Sequence, residues 1–140
     1  MTAEPVFVDT NILVYAHDSD SGSKHIVAKN LLEELWENKN GRISLQVLQE
    51  FYVTLSQKLP KPLPRKTVRE LISAYQAWGV YSPKSEDILT ASKLQDKYSL
   101  SFWDSLVLVA AQNSGAKKLY SEDMQHGQKI GDVTIQNPFV

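Results

Sequence analysis

The sequence predicts an α/β domain, with a short, mostly parallel central sheet between two layers of helix. Short apolar runs of strand length alternate along the chain with longer segments whose apolar residues recur at helical spacing. Strands separated by helices belong to parallel sheets, because parallel neighbours require a long crossover that covers a face of the sheet. The first apolar run, Pro5-Val6-Phe7-Val8, closes on Asp9-Thr10-Asn11 before helical spacing begins, as a buried parallel strand does where it feeds a helix.

The elements follow in order. Asn11 to His17 reads as a helix, interrupted by the polar stretch Asp18-Ser19-Asp20-Ser21-Gly22-Ser23. Lys24 to Asn38 is an amphipathic helix with Val27, Leu31, Leu32 and Leu35 on one side, closed by the turn signal Asn40-Gly41. Arg42 to Leu45 is a second strand, and Gln46 to Leu59 a helix carrying Val47, Leu48, Phe51, Leu55 and Leu59. Pro60, Pro62 and Pro64 then forbid a continuous helix, since each lacks an amide hydrogen and restrains the residue before it.

Thr67 to Trp78 is the next helix, Val80-Tyr81-Ser82 a third strand and Ser85 to Tyr98 a helix through Ile88, Leu89, Ala91 and Leu94. Ser101 to Asn113 is the most apolar helix, with Trp103, Leu106, Val107, Ala110 and Ala111 marking its inward side before Gly115 ends it. Two short strands, Lys118 to Ser121 and Val133 to Gln136, complete the order βαβααβααββ. Only Glu122 to Asp132 separates them, so the last strand is expected either antiparallel at an edge or by a tight crossing.

At 140 residues the chain has the length of one domain, 1–140, with a real core. It contains no cysteine, which excludes a disulfide framework, a thiolate nucleophile and a cysteine-rich zinc site. Any metal is left to oxygen or histidine ligands, which favours hard cations. The sequence has no apolar stretch of bilayer length, and Met1-Thr2-Ala3-Glu4 lacks the basic-then-apolar order of a secretion signal, so a cytoplasmic protein is expected. A net charge of −1 argues against a protein that coats nucleic acid through general basicity, and leaves room for a local basic patch.

Four carboxylates stand out, each with an ordinary alternative. Asp9 ends a strand, where α/β sheets bind ligands, yet Asp, Thr and Asn all cap helices. Asp104 completes Ser101-Phe102-Trp103-Asp104, a capping-box pattern. Glu50 lies at the border of its helix's apolar side, where a solvated glutamate is commonplace. Asp123 follows a strand in Ser121-Glu122-Asp123, with Glu122 as its immediate rival. Taken together they form a pattern, because strand C-termini and helix N-termini share one edge of a parallel sheet. Carboxylates gathered there resist ionisation unless a cation lies between them, and oxygen-only ligands suit Mg²⁺ or Mn²⁺.

With these residues in place, the chain resembles the PIN-domain nucleases, and in particular the toxin ribonucleases of VapBC-type toxin–antitoxin pairs. The likeness is carried in order by Val8-Asp9-Thr10-Asn11-Ile12-Leu13, Gln46-Val47-Leu48-Gln49-Glu50, Phe102-Trp103-Asp104-Ser105, Ser121-Glu122-Asp123-Met124 and Asn137-Pro138-Phe139. The resemblance implies a three-layer α/β/α PIN-like fold in which Asp9, Glu50, Asp104 and Asp123 are the catalytic, metal-holding acids and Asn11 and Ser121 support them. Ser121 stands where the family often has threonine, and Asp123 is preferred to Glu122 by motif alignment. The implied reaction is Mg²⁺- or Mn²⁺-assisted endonucleolytic hydrolysis of RNA, leaving 5′-phosphate and 3′-hydroxyl ends. The implied partners are a small DNA-binding antitoxin and a second copy of the chain in a homodimer.

His17, His25 and His126 show no pairing suited to histidine-driven attack by the RNA's own 2′-hydroxyl, and read as surface or loop residues. Lys58, Lys61, Arg65, Lys66 and Arg69 surround the proline-rich loop, either as an RNA contact or as solvated helix and loop ends. Trp36, Phe51, Tyr52 and Trp78 are assigned mostly to the core, with a partner groove as the alternative. Two other readings compete: an enzyme that uses Asp9 as a phosphoryl acceptor, and a non-catalytic interaction module stabilised by a cation. Asp9-Thr10-Asn11 lacks the second aspartate, two positions on, that the phosphatase pattern uses.

Overall fold

The computed structural model describes residues 3–140; Met1 and Thr2, which open the segment read against a secretion signal, lie outside them. Six strands form one sheet in the order β3-β2-β1-β4-β6-β5, namely β1 (Val6–Val8), β2 (Gly41–Ser44), β3 (Gly79–Tyr81), β4 (Lys118–Tyr120), β5 (Lys129–Ile130) and β6 (Val133–Gln136). All neighbours are parallel except β5 and β6. The helices are α1 (Thr10–His17), α2 (Ser23–Asn38), α3 (Leu45–Val53), α4 (Arg65–Tyr75), α5 (Ser85–Tyr98) and α6 (Phe102–Asn113).

Successive side chains of a strand point to opposite faces, and Val6, Phe7 and Val8 are all buried, so both faces of the sheet's centre are covered. One cover is the group α1, α2, α3 and α4, in which α1 packs on α2 and α3, and α3 on α4. The other is α5 packed on α6, which rests on β2 and β4. This is the expected α/β arrangement of three layers. Ile12, Leu13, Ile43, Phe51, Leu55, Leu108, Leu119 and Ile135 are fully buried between them, each worth about 1.5–3 kcal/mol of transfer free energy.

Several elements depart from expectation. The last strand, β6, follows the second of the two alternatives, a tight crossing that brings it parallel to β4; what was not expected is the antiparallel edge strand β5, two residues long and too short to leave a periodic signal. The helix expected over Gln46 to Leu59 changes pitch at Thr54, where a wider turn over Thr54–Lys58 ends with the Leu59 amide donating to the Thr54 carbonyl at 3.2 Å. Trp103, assigned inward, is 64% exposed, and α6 instead buries Ser105, Val107, Leu108, Val109, Ala110 and Ala111. Val27, Ile88 and Leu89 are likewise exposed, so α2 buries Ala28, Leu32 and Leu35, and α5 buries Asp87 and Ala91.

His17 is not a surface residue: its Nε2 lies 2.6 Å from the Tyr75 hydroxyl and its ring packs edge-on against Phe51 and Tyr75. Phe51 and Trp78 are buried as expected, while Trp36 covers Tyr75 and Trp78 from the outside. His126 lies beside Gly127, whose φ of +85° marks the expected turn, and accepts from the Asn137 amide at 3.0 Å.

Candidate metal centre

Backbone register builds the site. The β1–β4 pairing runs Val6 with Lys118 to Val8 with Tyr120, and the Asp9 amide extends it by donating to the Tyr120 carbonyl at 2.9 Å. The next residues on the two strands, Asp9 and Ser121, therefore meet at the C-terminal edge, where the Ser121 hydroxyl donates to Asp9 Oδ2 at 2.9 Å. Asp9 Oδ1 accepts from the Thr10 amide at 2.7 Å. Asp9 is thus the N-cap of α1 while its other oxygen is held at the sheet edge by Ser121.

Asp104 enters from the first turn of α6. Ser101 supplies that helix's cap, its Oγ accepting from the Asp104 amide at 3.1 Å, and Asp104 lines the cavity from the first turn. Asp123 enters from the loop after β4, held by Asn11, whose Nδ2 donates to its Oδ2 at 2.9 Å. One oxygen from each of Asp9, Asp104 and Asp123 lies within 4.8 Å of the others. Asn11 and Ser121, named above as supports, donate to Asp123 and Asp9 respectively.

Glu50 lines the same cavity without joining that cluster of three. Its Oε2 accepts from Thr10 Oγ1 at 3.1 Å and its Oε1 from Gln46 Nε2 at 2.8 Å. Thr10 and Gln46 were missed in the sequence. Gln46 precedes Glu50 by one helical turn, a legible spacing, whereas Thr10 is forty residues away and left no local signal. Asp18, read as part of a loop, also lines the cavity. Glu122 is turned elsewhere, into an ion pair with Lys24 and a 2.8 Å hydrogen bond from the Tyr15 hydroxyl. Partial burial opposes its charge, but Lys24 and Tyr15 together hold its pKa below the usual range.

The cavity has a volume of about 380 Å³ and its walls carry Asp9, Asp18, Glu50, Asp104 and Asp123 and, among the described residues, no lysine, arginine or histidine. Asp9 is only 5% exposed, and burial, followed by the charges of Asp104 and Glu50, pushes its pKa to about 7 against the pull of Thr10 and Ser121. Burial also raises Asp104, with Asp123 and Glu50 adding to the effect and Ser101 opposing it. Converging oxygen donors whose charges oppose one another fit a hard divalent cation.

Fold and site together define a class: a mostly parallel α/β domain that gathers acids able to hold a divalent cation at the C-terminal edge of its sheet. The chain belongs to the PIN domain family, whose model matches residues 6–129.

Solved structures share the fold. A toxin–antitoxin complex from Klebsiella pneumoniae matches with 22% identity and a TM-score of 0.69, over 95% of this chain and 97% of that one. VapC20 of Mycobacterium tuberculosis, described as a Sarcin-Ricin loop cleaving toxin, matches with 20% identity and a TM-score of 0.65, over 84% and 89%. VapBC2 of Rickettsia felis, bound to a DNA fragment from its promoter, matches with 21% identity and a TM-score of 0.65, over 94% and 97%. Among curated proteins no match is found. No helix among the described residues is long and apolar enough to cross a membrane.

Proposed function

We propose that this chain is a divalent-metal-dependent endoribonuclease, the toxin of a toxin–antitoxin pair, with Asp9, Asp104 and Asp123 as metal-holding catalytic acids and Glu50 completing the set. The observation that carries the reading is the convergence of Asp9, Asp104 and Asp123 in a cavity whose walls hold, among the described residues, no cationic side chain. Mg²⁺, with Mn²⁺ as its substitute, suits these oxygen donors. When bound, such a cation supplies Lewis acidity toward a phosphodiester and lowers the pKa of a coordinated water.

The chain's own residues set the geometry of attack. Ser121 and the Thr10 amide fix Asp9 through both oxygens, and Asn11 fixes Asp123 through one. Their remaining lone pairs are thereby aimed into the cavity, so little reorganisation is needed when charge develops. Glu50, held by Thr10 and Gln46, faces the same space and is placed to orient a water or a further cation. Among the described residues no histidine lines the cavity, so attack by water is favoured over histidine-driven attack by the 2′-hydroxyl. The toxin role and a DNA-binding antitoxin partner are supported by the toxin–antitoxin structures that share the fold, one of them bound to promoter DNA; the homodimer rests on the family resemblance of the sequence.

The test is cleavage of mixed RNA in Mg²⁺, in Mn²⁺ and in excess chelator, with the wild type beside Asp9→Asn and Asp104→Asn. Cleavage restricted to metal and to the wild type is expected; cleavage that persists in chelator removes the metal mechanism. A covalent phosphate on Asp9 would identify a phosphotransfer enzyme instead.

A further inference from the structure

A second cavity, of about 530 Å³, opens beside the carboxylates and shares Gln46, Glu50, Thr54 and Trp103 with them. Its other walls are Gln49, Val53 and Lys58. Trp103 and Asp104 are adjacent on the first turn of α6, about 100° apart around its axis, so an Asp104 that faces the acids leaves the indole at the side of the same mouth. That indole is 64% exposed, although folding normally covers so large an apolar surface. Gln46, Gln49, Glu50 and Val53 form one stripe of α3 along the opposite wall. The wide turn over Thr54–Lys58 carries that wall on to Lys58, which belongs to the groove among the five basic residues near the proline-rich loop.

Resting on the ribonuclease reading above, we propose that this groove is a single-stranded RNA subsite, in which Trp103 stacks one base beside the scissile phosphate and Lys58 takes a neighbouring phosphate. The acids repel a polyanion, so the substrate needs an attractive contact outside them, and Lys58 is the cationic side chain in the groove. An exposed aromatic face accepts only an unstacked base, which selects single strands and loops over continuous duplex. Gln46 and Gln49 line the same wall with amides suited to base edges.

Steady-state cleavage of a single-stranded RNA of about 12 nucleotides in Mg²⁺ tests the subsite. Trp103→Ala is expected to raise KM roughly 5- to 100-fold, as the loss of one base stack does, with kcat within about threefold; Trp103→Phe restores most of the loss. Lys58→Gln is expected to weaken binding across sequences and to reduce the slope of log affinity against log salt by about 0.7, the value for one single-strand phosphate contact. In stopped-flow mixing, tryptophan fluorescence is expected to quench before product forms, and Trp103→Phe to abolish that phase. Wild-type cleavage with KM unchanged in Trp103→Ala overturns the subsite and leaves the nuclease reading standing. A wild type that cleaves nothing but shows the Trp103-dependent quench removes the nuclease reading and keeps the subsite; absence of both quench and KM effect overturns the subsite.

Discussion

Replacing Asp9 by asparagine is expected to stabilise the metal-free protein while abolishing cleavage. Asn is nearly isosteric with Asp, its Oδ1 still accepts from the Thr10 amide, and the Ser121 hydroxyl can rotate to accept from Nδ2. What disappears is a charge held almost fully buried beside two other carboxylates. Moving an aspartate from 3.8 to about 7 on folding, at 1.36 kcal/mol per pH unit, amounts to an upper bound of about 4 kcal/mol against the ionised folded state.

The sign follows from the direction. A pKa raised on folding favours the protonated native state, so this contribution is fully present below pH 3.8 and is lost as pH rises through about 7. In chelator, the difference in unfolding free energy between Asp9→Asn and wild type is therefore expected to be small near pH 4 and to grow to several kcal/mol by pH 8. For a domain of this size the full ~4 kcal/mol corresponds to about 8–16 °C in Tm. Urea unfolding in chelator across that range measures it, and a repeat in Mg²⁺ is expected to stabilise the wild type alone. An Asp9→Asn protein no more stable than wild type at pH 8, or equally advantaged at pH 4, refutes the claim that the site stores repulsion which a cation relieves.

The neighbouring acids separate cleanly. Asp123→Asn is expected to lower cleavage by at least about 100-fold and Glu122→Gln by no more than about threefold, measured as initial rates on one RNA, because Glu122 is committed to Lys24 and Tyr15. Titrating Mg²⁺ or Mn²⁺ into wild type is expected to raise stability by about 2.7 kcal/mol at one hundred times Kd, and thermal unfolding of Asp104→Asn is expected to lose that response. Gly41→Ala is expected to cost about 1–3 kcal/mol in urea unfolding, since a Cβ there meets the buried Trp78 ring at 2.5 Å, while the metal dependence of cleavage is unchanged.

Much of this was legible because Asp9, Asp104 and Asp123 sit at element ends, where strand-length runs and the Ser-x-x-Asp cap mark the boundary locally. The sheet edge then brings them together by topology. What was illegible depends on distance or on the end of a layer. Thr10 meets Glu50 only once α1 and α3 pack together, and β5 is two residues long. Trp103 shares helical spacing with Val107 and Ala110, which predicts burial, but it stands on the first turn at the rim of the cavity, where the layer no longer covers it. Ile88 and Leu89 mislead in the same way, as apolar residues on the open side of α5.

The chemistry at the product ends tests the central claim most directly. Water attack organised by these carboxylates leaves 5′-phosphate and 3′-hydroxyl termini, formed in Mg²⁺ and not in chelator, and mass spectrometry of the fragments from a defined RNA reads them. A 2′,3′-cyclic phosphate with a 5′-hydroxyl would mean that the RNA's own 2′-hydroxyl is the nucleophile, and would contradict the account.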